Sequence, residues 1–315
     1  MNVISRNLHP KEFLREAIRR FAGEFGLQIV RAFLHPKEFL RNAIIIGPQI
    51  VRALFLFKKP LPLIHHFFNQ TCPSDKCIHL RNGRELKLSG HNLDIVVLFQ
   101  VFCERVYPTD SNTVVLDIGA NIGLFSSYAA FSGAQKVYAF EPNPEAYHCM
   151  LENIGRNNLQ KVIVPYNYAV TSKSNEVVTI SKTASPQNRI AYENAGRDKD
   201  EYESANTISL NDIVSKESIS RVHLLKMDCE GSEYDILAGI SKSTFSKINR
   251  IIVEYHDGKV AEIDENLKQH GFKLEKVSRA TEKEGMLWFG KGNIQGSLCA
   301  QKTKKESKKS SNVSY

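Results

Sequence analysis

No window of the sequence reaches the ~20 apolar residues that a membrane-spanning helix needs. The longest candidate, Ala43 to Phe57, is interrupted by Pro48 and Arg52. The first 15 residues lack an apolar core followed by a small-residue cleavage site, so no signal peptide is read there. Six cysteines stand at 72, 77, 103, 149, 229 and 299, with no CxxC pair and no paired-His pattern to complete a zinc site. Cys72 and Cys77 are close enough in sequence to pair, but the scatter of the six suits free thiols in a reducing compartment better. These absences point to a cytoplasmic protein. A net basic balance is also missing from the middle of the chain. Residues 1–60 hold 11 Lys/Arg against 4 Asp/Glu, and residues 301–315 hold 5 Lys against 1 Glu, so the net +8 leaves residues 61–300 at −3. A nucleic-acid groove needs a basic face, so no nucleic acid is expected as a partner of the central region.

What is present falls into four parts. Residues 1–60 contain near-repeats: Leu8-His9-Pro10-Lys11-Glu12-Phe13-Leu14-Arg15 returns as Leu34-His35-Pro36-Lys37-Glu38-Phe39-Leu40-Arg41. Each His-Pro opens a helix, with proline in the first turn where its missing N–H costs nothing. Phe13, Ala17, Ile18 and Phe21 share one face and Arg15, Arg19 and Arg20 another, the pattern of a basic amphipathic helix. Such helices pack on the main domain, form an oligomer surface, lie peripherally on an anionic membrane, or make a poorly ordered leader; the sequence leaves these open. Residues 61–112 form a connecting segment broken by prolines, helical from Leu93 to Tyr107. Residues 113–290 alternate strand and helix, and residues 291–315 are a basic, Lys/Ser-rich tail expected to be disordered.

Strands are expected at about 113–117, 136–140, 162–168, 176–181, 222–228, 249–255, 272–277 and 286–290. Helices fall at about 122–132, 144–156, 209–215, 233–239 and 260–270. Such alternation gives an α/β fold, a mostly parallel twisted sheet with helices on both faces. The polar stretch at about 182–206 is expected to be a loop near the ligand.

Five strand ends carry the chemistry. The run Val114-Val115-Leu116-Asp117-Ile118 ends in a loop with Gly119, Asn121 and Gly123, where backbone must approach something closely. The next strand ends in Glu141, 24 positions after Asp117, where an acid can hold the two hydroxyls of an adenosine ribose. Asn121 stands in place of the second glycine of a dinucleotide fingerprint, and the loop has no basic residue for phosphate. A phosphate-free adenosine cofactor, S-adenosylmethionine, therefore fits better than a dinucleotide. Its carboxylate would accept loop N–H groups, and Asp117 would face its ammonium group. Asn167 and Ala169 follow the third strand, where the adenine would lie. The run Lys226-Met227-Asp228-Cys229-Glu230-Gly231-Ser232-Glu233 brings three acids to a strand end, and Ile251-Ile252-Val253-Glu254-Tyr255-His256 brings Glu and His to another. Asp228, Glu230 and His256 are the catalytic candidates: Asp228 or His256 as base, Glu230 and Glu254 orienting an acceptor. Three spaced acids do not make a metal site, so none is assigned.

In order and spacing, the segments VVLDIGANIGLFSSYAA, YAFEPNPEAYHCMLENI, YNYAVTS, ISLNDIV, LLKMDCEGSEYDILAGI and IIVEYH resemble the FkbM-type methyltransferase family over about residues 113–290. The resemblance implies a Rossmann-like class I fold and S-adenosylmethionine-dependent methylation, usually of an oxygen, on acceptors that include sugar hydroxyls and natural products. Carried over by position, it implies that Asp117, Gly119, Asn121 and Gly123 contact the methionine end and that Glu141 holds the ribose. Asp228, Glu230 and Glu233 fill the family's acidic block. Asn211 departs from the pattern, in which an acid often precedes Asp212. The expected activity is O-methylation of a sugar, glycan or other small-molecule acceptor. The alternative is a membrane-associated adaptor that keeps a degenerate fold without catalysis.

Overall fold

The computed structural model describes residues 36–181, 202–256 and 258–292. The near-repeat at 8–15, most of the polar stretch at 182–206, Cys299 and the tail from 293 lie outside them. The chain divides into two compact units, Met1–Phe55 and Leu56–Tyr315. The described part of the first lies in helix α1 (Pro36–Leu56), which carries Pro48 internally. No helix among the described residues is long and apolar enough to cross a membrane.

The second unit begins with α2 (Pro60–Asn69), the hairpin β1 (Cys77–His79) and β2 (Glu85–Lys87), and α3 (Asp94–Leu98). A π-helical turn at Phe99–Glu104 continues α3. Then come β3 (Val114–Ile118), α4 (Leu124–Phe131), β4 (Lys136–Phe140), α5 (Pro144–Arg156) and β5 (Ile163–Tyr166). Three short strands follow: β6 (Ala169–Thr171), β7 (Val177–Ser181) and β8 (Tyr202–Ser209). The remainder is α6 (Leu210–Lys216), β9 (Leu224–Met227), α7 (Glu233–Gly239), α8 (Lys242–Lys247), β10 (Arg250–Tyr255), α9 (Val260–Gln269), β11 (Phe272–Ser278) and β12 (Gly285–Lys291).

Seven strands form the main sheet in the order β11-β12-β10-β9-β3-β4-β5. β12 runs antiparallel to both its neighbours, and the other pairings are parallel. This is the mostly parallel α/β sheet read from the sequence. β3 and β4 are buried along nearly their whole length, as strands covered on both faces must be. Leu116, Ile118, Tyr138, Phe140, Leu225, Met227, Ile251 and Val253 join Ile213 of α6, Ile236 of α7 and Leu267 of α9 in one core. Three of the helices, α5, α6 and α8, start at a capping side chain. Asn143 accepts the Ala146 N–H at 2.9 Å with Pro144 following, and Ser209 and Ser241 cap α6 and α8 in the same way. Asn211 joins helices outside the strand-end region, donating to the Gly239 carbonyl (2.8 Å) and accepting the Ser241 N–H (3.0 Å).

Two expectations need correction. The strand expected over 162–168 ends at Tyr166, and Ala169–Thr171 starts a separate three-stranded sheet, β6-β8-β7. Its member Tyr202–Ser209 overlaps the polar stretch that was expected to be a loop throughout. The reason is local. Only Ala205 and Thr207–Ser209 of that strand are buried, so its apolar pattern is too sparse to show.

The hairpin β1–β2 is tied to the main domain by the amides of half-buried Asn157, which accepts the Glu85 N–H at 3.0 Å and donates to the Glu85 carbonyl at 2.6 Å, and of buried Asn153. Asn153 Oδ1 accepts the Lys87 N–H at 2.6 Å, and its Nδ2 donates to the Lys87 and Ile122 carbonyls at 3.0 and 2.8 Å. Asn153→Ala should cost about 2–4 kcal/mol in a urea unfolding titration, because it leaves buried backbone groups without partners. A cost below about 1 kcal/mol would show that the hairpin is not anchored this way.

Candidate functional site

The carboxyl ends of β3, β4, β9 and β10 open into one cavity of about 360 Å³. The volume lies within the range of small-molecule sites. Its floor includes Gly119, Ala120, Asn121, Glu141, Lys226, Asp228, Glu230, Glu254 and His256. One wall comes from α3 and the π-helical turn through Leu93, Val96, Val97, Gln100 and Val101, and another from Arg279, Glu284 and Gly285.

The loop after β3 takes its shape from residues that tolerate left-handed backbone. Gly119, Asn121 and Gly123 have φ of 72°, 49° and 76°. The N–H groups of Gly119 and Ala120 both reach the Phe140 carbonyl, at 3.1 and 2.9 Å. The Asn121 N–H donates to Glu141 Oε2 at 2.8 Å, and the Asn143 N–H to Glu141 Oε1 at 2.9 Å. Glu141 thus organises both strand-end loops and still faces the cavity. Burial pushes its carboxyl up to about 7, against the pull of those two N–H groups and of Lys226.

Of the residues expected to hold cofactor, Gly119, Asn121, Glu141 and Ala169 line the cavity. Asp117, Gly123 and Asn167 are absent from its lining. Asp117 is fully buried behind the loop, where Ser126 Oγ donates to it at 2.6 Å and the Lys226 ammonium lies 3.2 Å away. Gly123 packs on α5, where an added Cβ would meet Met150 Cγ at 2.7 Å. Asn167 spends its amide on the Glu141 and Pro142 carbonyls, at 2.9 and 2.8 Å, and Tyr168 takes its place on the cavity wall. Glu141, already bound to two backbone N–H groups, keeps lone pairs for two further donors. That donor demand matches the vicinal hydroxyls of an adenosine ribose, and the loop's lack of cations matches a cofactor without phosphate.

The other end of the cavity gathers all three catalytic candidates, Asp228, Glu230 and His256, together with Glu254. His256 Nδ1 lies 3.1 Å from Glu233 Oε1 and Nε2 lies 3.4 Å from Glu230 Oε2. Burial alone would lower its pKa, but the hydrogen bond and charge of Glu233, with Glu230 and Asp228, lift it to about 9. Glu233 is itself fully buried and accepts the Cys229 and Gly231 N–H groups at 3.0 and 2.8 Å. Glu230 is held at φ 54°, a strained position for a residue with a Cβ. Burial and the neighbouring Asp228 raise Glu254 to about 8, and Tyr107 donates to it at 3.4 Å. Asp228 is also raised by burial, opposed by Lys226 and His256. Ligand atoms of Asp228, Glu254 and His256 lie within 4.8 Å of one another, a spacing a cation could bridge. Both imidazole nitrogens, however, face carboxylates.

Lys226 is the residue that sequence reasoning missed. It sits in the central strand β9, 3% exposed, with its ammonium 2.6 Å from the Gly119 carbonyl and 3.6 Å from Asp228 Oδ2. The available signal was a lysine inside the apolar run Leu224-Leu225-Lys226-Met227, since a buried lysine requires anionic partners. Tyr107 and Arg279 gave no sequence signal. They come from the connecting segment and from the loop between β11 and β12. Cys72, Cys77, Cys103, Cys149 and Cys229 are free thiols.

With this geometry in view, the Methyltransferase FkbM domain matches residues 117–274. The AMB antimetabolite synthetase AmbE of Pseudomonas aeruginosa is 26% identical over 236 residues, which is 60% of this chain and 11% of AmbE. The hexuronic acid methyltransferase AglP of Haloferax volcanii is 31% identical over 151 residues, 47% of this chain and 58% of AglP. The 31-O-demethyl-FK506 methyltransferase FkbM of Streptomyces tacrolimicus is 26% identical over 211 residues, 55% of this chain and 79% of that protein. The chain therefore spans about a tenth of AmbE and under two thirds of AglP.

Proposed function

Because the chain belongs to the FkbM family of S-adenosylmethionine-dependent methyltransferases, we propose that it methylates a hydroxyl oxygen on a sugar, glycan or comparable small molecule. The observation that carries this reading is a cavity lined both by Glu141 after β4, suited to a ribose, and by Asp228 and Glu254 of the β9 and β10 ends. The hexuronic acid and FK506 methyltransferases among its relatives support a polyhydroxylated acceptor. In this reading residues 113–290 form the catalytic domain, and the segment 61–112 adds an acceptor wall through Leu93–Val101 and Tyr107.

Bound S-adenosylmethionine supplies an electrophilic methyl group. Gly119, Asn121 and Ala169 shape the surface against it, Glu141 accepts its ribose hydroxyls, and Asp117 acts from behind the loop through Ser126 and Lys226. Holding acceptor and methyl in line accounts for much of the rate enhancement. The remaining task is the acceptor's proton. His256 at about 9 is a cation at neutral pH and has no lone pair to offer. Glu254 at about 8 is mostly protonated there. Asp228, which burial makes more basic against the pull of Lys226 and His256, is the residue this reading assigns to accept the acceptor's proton. Of the two bases left open by the sequence, this reading keeps Asp228 and makes His256 the clamp that holds Glu230 in place.

Calorimetric titration with S-adenosylhomocysteine tests the cofactor half, and transfer of radiolabelled methyl to a panel of hexuronic acids, neutral sugars and polyols tests the acceptor half. Glu141→Gln should weaken S-adenosylhomocysteine binding by about 10- to 100-fold, the loss expected when a charged acceptor becomes neutral. The affinity should also depend on pH. Ribose hydroxyls donate to the ionised carboxylate, so affinity is level above pH 7 and falls below it by up to about tenfold per pH unit. The Glu141→Gln profile should be flat through the same range. A parent profile that is flat would remove Glu141 from the ribose.

A further inference from the structure

A lysine in the middle of a buried central strand demands an explanation. Lys226 occupies β9 between β3 and β10, where the sheet is most enclosed. Desolvating an ammonium costs several kcal/mol before any partner is found. A plain core would place an aliphatic side chain here, as the flanking Leu225 and Met227 do. The ammonium instead makes contacts to two different parts of the site. It donates to the Gly119 carbonyl at 2.6 Å and the Ile118 carbonyl at 3.3 Å, at the root of the loop after β3. It lies 3.2 Å from Asp117 Oδ1 and 3.6 Å from Asp228 Oδ2. It also lies 5.7 Å from the centre of the Tyr107 ring, on the acceptor wall.

The loop needs such a tether. Gly119 sits at φ 72°, and the approach of the Asp228 carbonyl leaves no room for a side chain there. The N–H groups of Gly119 and Ala120 are fixed from one side by the Phe140 carbonyl. On the opposite side of the Gly119–Ala120 peptide, the Gly119 carbonyl accepts from the Lys226 ammonium.

We propose that Lys226 is a positioning residue: its ammonium grips the Gly119 carbonyl and so sets the cofactor loop in register with Asp228. The proposal rests on the cofactor reading given above. One buried cation then joins the surface that receives the cofactor to the carboxylate that receives the acceptor's proton. Asp117 is the counter-charge that keeps the ammonium in place, which explains why an acid stands at the end of β3 yet does not line the cavity. Loss of the donor lets the Gly119 peptide turn while the sheet itself remains.

The test compares Lys226→Met, which keeps length and loses every donor, with Lys226→Arg, which keeps charge and N–H donors. Each is titrated calorimetrically with S-adenosylhomocysteine beside a thermal melt. Lys226→Met should bind about tenfold or more weakly, the loss of a charged hydrogen bond, and Lys226→Arg within about threefold of the parent. A Lys226→Met chain that melts lower but binds as the parent does would assign the lysine to stability alone and overturn the proposal. Loss of affinity in both folded variants would overturn it too, because the donor would not be what matters. Where Lys226→Met does not fold, the ammonium nitrogen signal of Lys226 in the native chain decides. It should shift on saturation with S-adenosylhomocysteine, and an unmoved signal overturns the proposal. A parent chain that fails to bind S-adenosylhomocysteine at all would instead overturn the cofactor reading.

Discussion

Gly119→Ala is expected to lose S-adenosylhomocysteine binding and about 2–5 kcal/mol of stability, a large effect for one methyl group. Two penalties act together. The residue sits at φ 72°, where a Cβ is opposed by its own backbone. The added Cβ would also lie 1.8 Å from the Asp228 carbonyl oxygen and 2.8 Å from its carbon. Neither obstacle is a flexible side-chain tip, so relief must come from movement of the loop after β3 or of the segment after β9. Those are the two segments that hold the cofactor surface and the proposed base. The site would therefore be lost even in molecules that fold. Gly123→Ala offers a control at similar φ, because its Cβ would meet the side chain of Met150, which can move. Urea unfolding and ligand titration of both variants check the contrast. Parent-like binding by Gly119→Ala would show that the two loops are not in the close contact described.

The legibility of this site follows from which physical constraints leave a mark on residue type. The loop after β3 was legible because left-handed backbone restricts the choice to glycine and asparagine, and Gly119, Asn121 and Gly123 all sit at positive φ. The central strands were legible because burial on both faces makes them continuously apolar. Glu141 and Asp228 were placed at the cavity because strand ends of a parallel sheet share one edge. The errors have a different origin. Ending β5 at Tyr166 changes which residue faces the ligand, so Tyr168 lines the cavity and Asn167 does not. Asp117 was read as facing the cofactor, since nothing in its own neighbourhood revealed that a lysine 109 positions later would meet it. Local pattern leaves Asp228 and His256 both open as the base, since the carboxylates beside His256, Glu230 and Glu233, come from another strand end. Pairings across the sheet decide protonation, and they are invisible to local pattern.

Asp228→Asn is expected to bind S-adenosylhomocysteine within about threefold of the parent chain and to lose methyl transfer by about 10²–10⁴-fold, the usual contribution of a general base. Binding should survive because the substitution keeps the shape and because Lys226 retains Asp117 and the Gly119 carbonyl as partners. The ion pair it removes is long, at 3.6 Å, and the buried Lys226 keeps Asp117 at 3.2 Å as its counter-charge, so the ammonium is not left unpaired. Transfer should not survive, since the neighbouring groups are in the wrong protonation state near neutral pH. His256 is held as a cation by Glu233 and Glu230, and Glu254 carries a proton up to about pH 8. The variant also carries its own diagnostic. Asp228 is one cause of the raised Glu254 carboxyl, so removing its charge lowers that pKa. Residual transfer should then rise with pH and level off below pH 8, as Glu254 begins to accept the proton in its place. Adding Glu254→Gln to Asp228→Asn should abolish that rise. Transfer by Asp228→Asn at the parent's rate would place the base elsewhere. A residual rate that ignores Glu254→Gln would show instead that positioning alone carries the remaining catalysis.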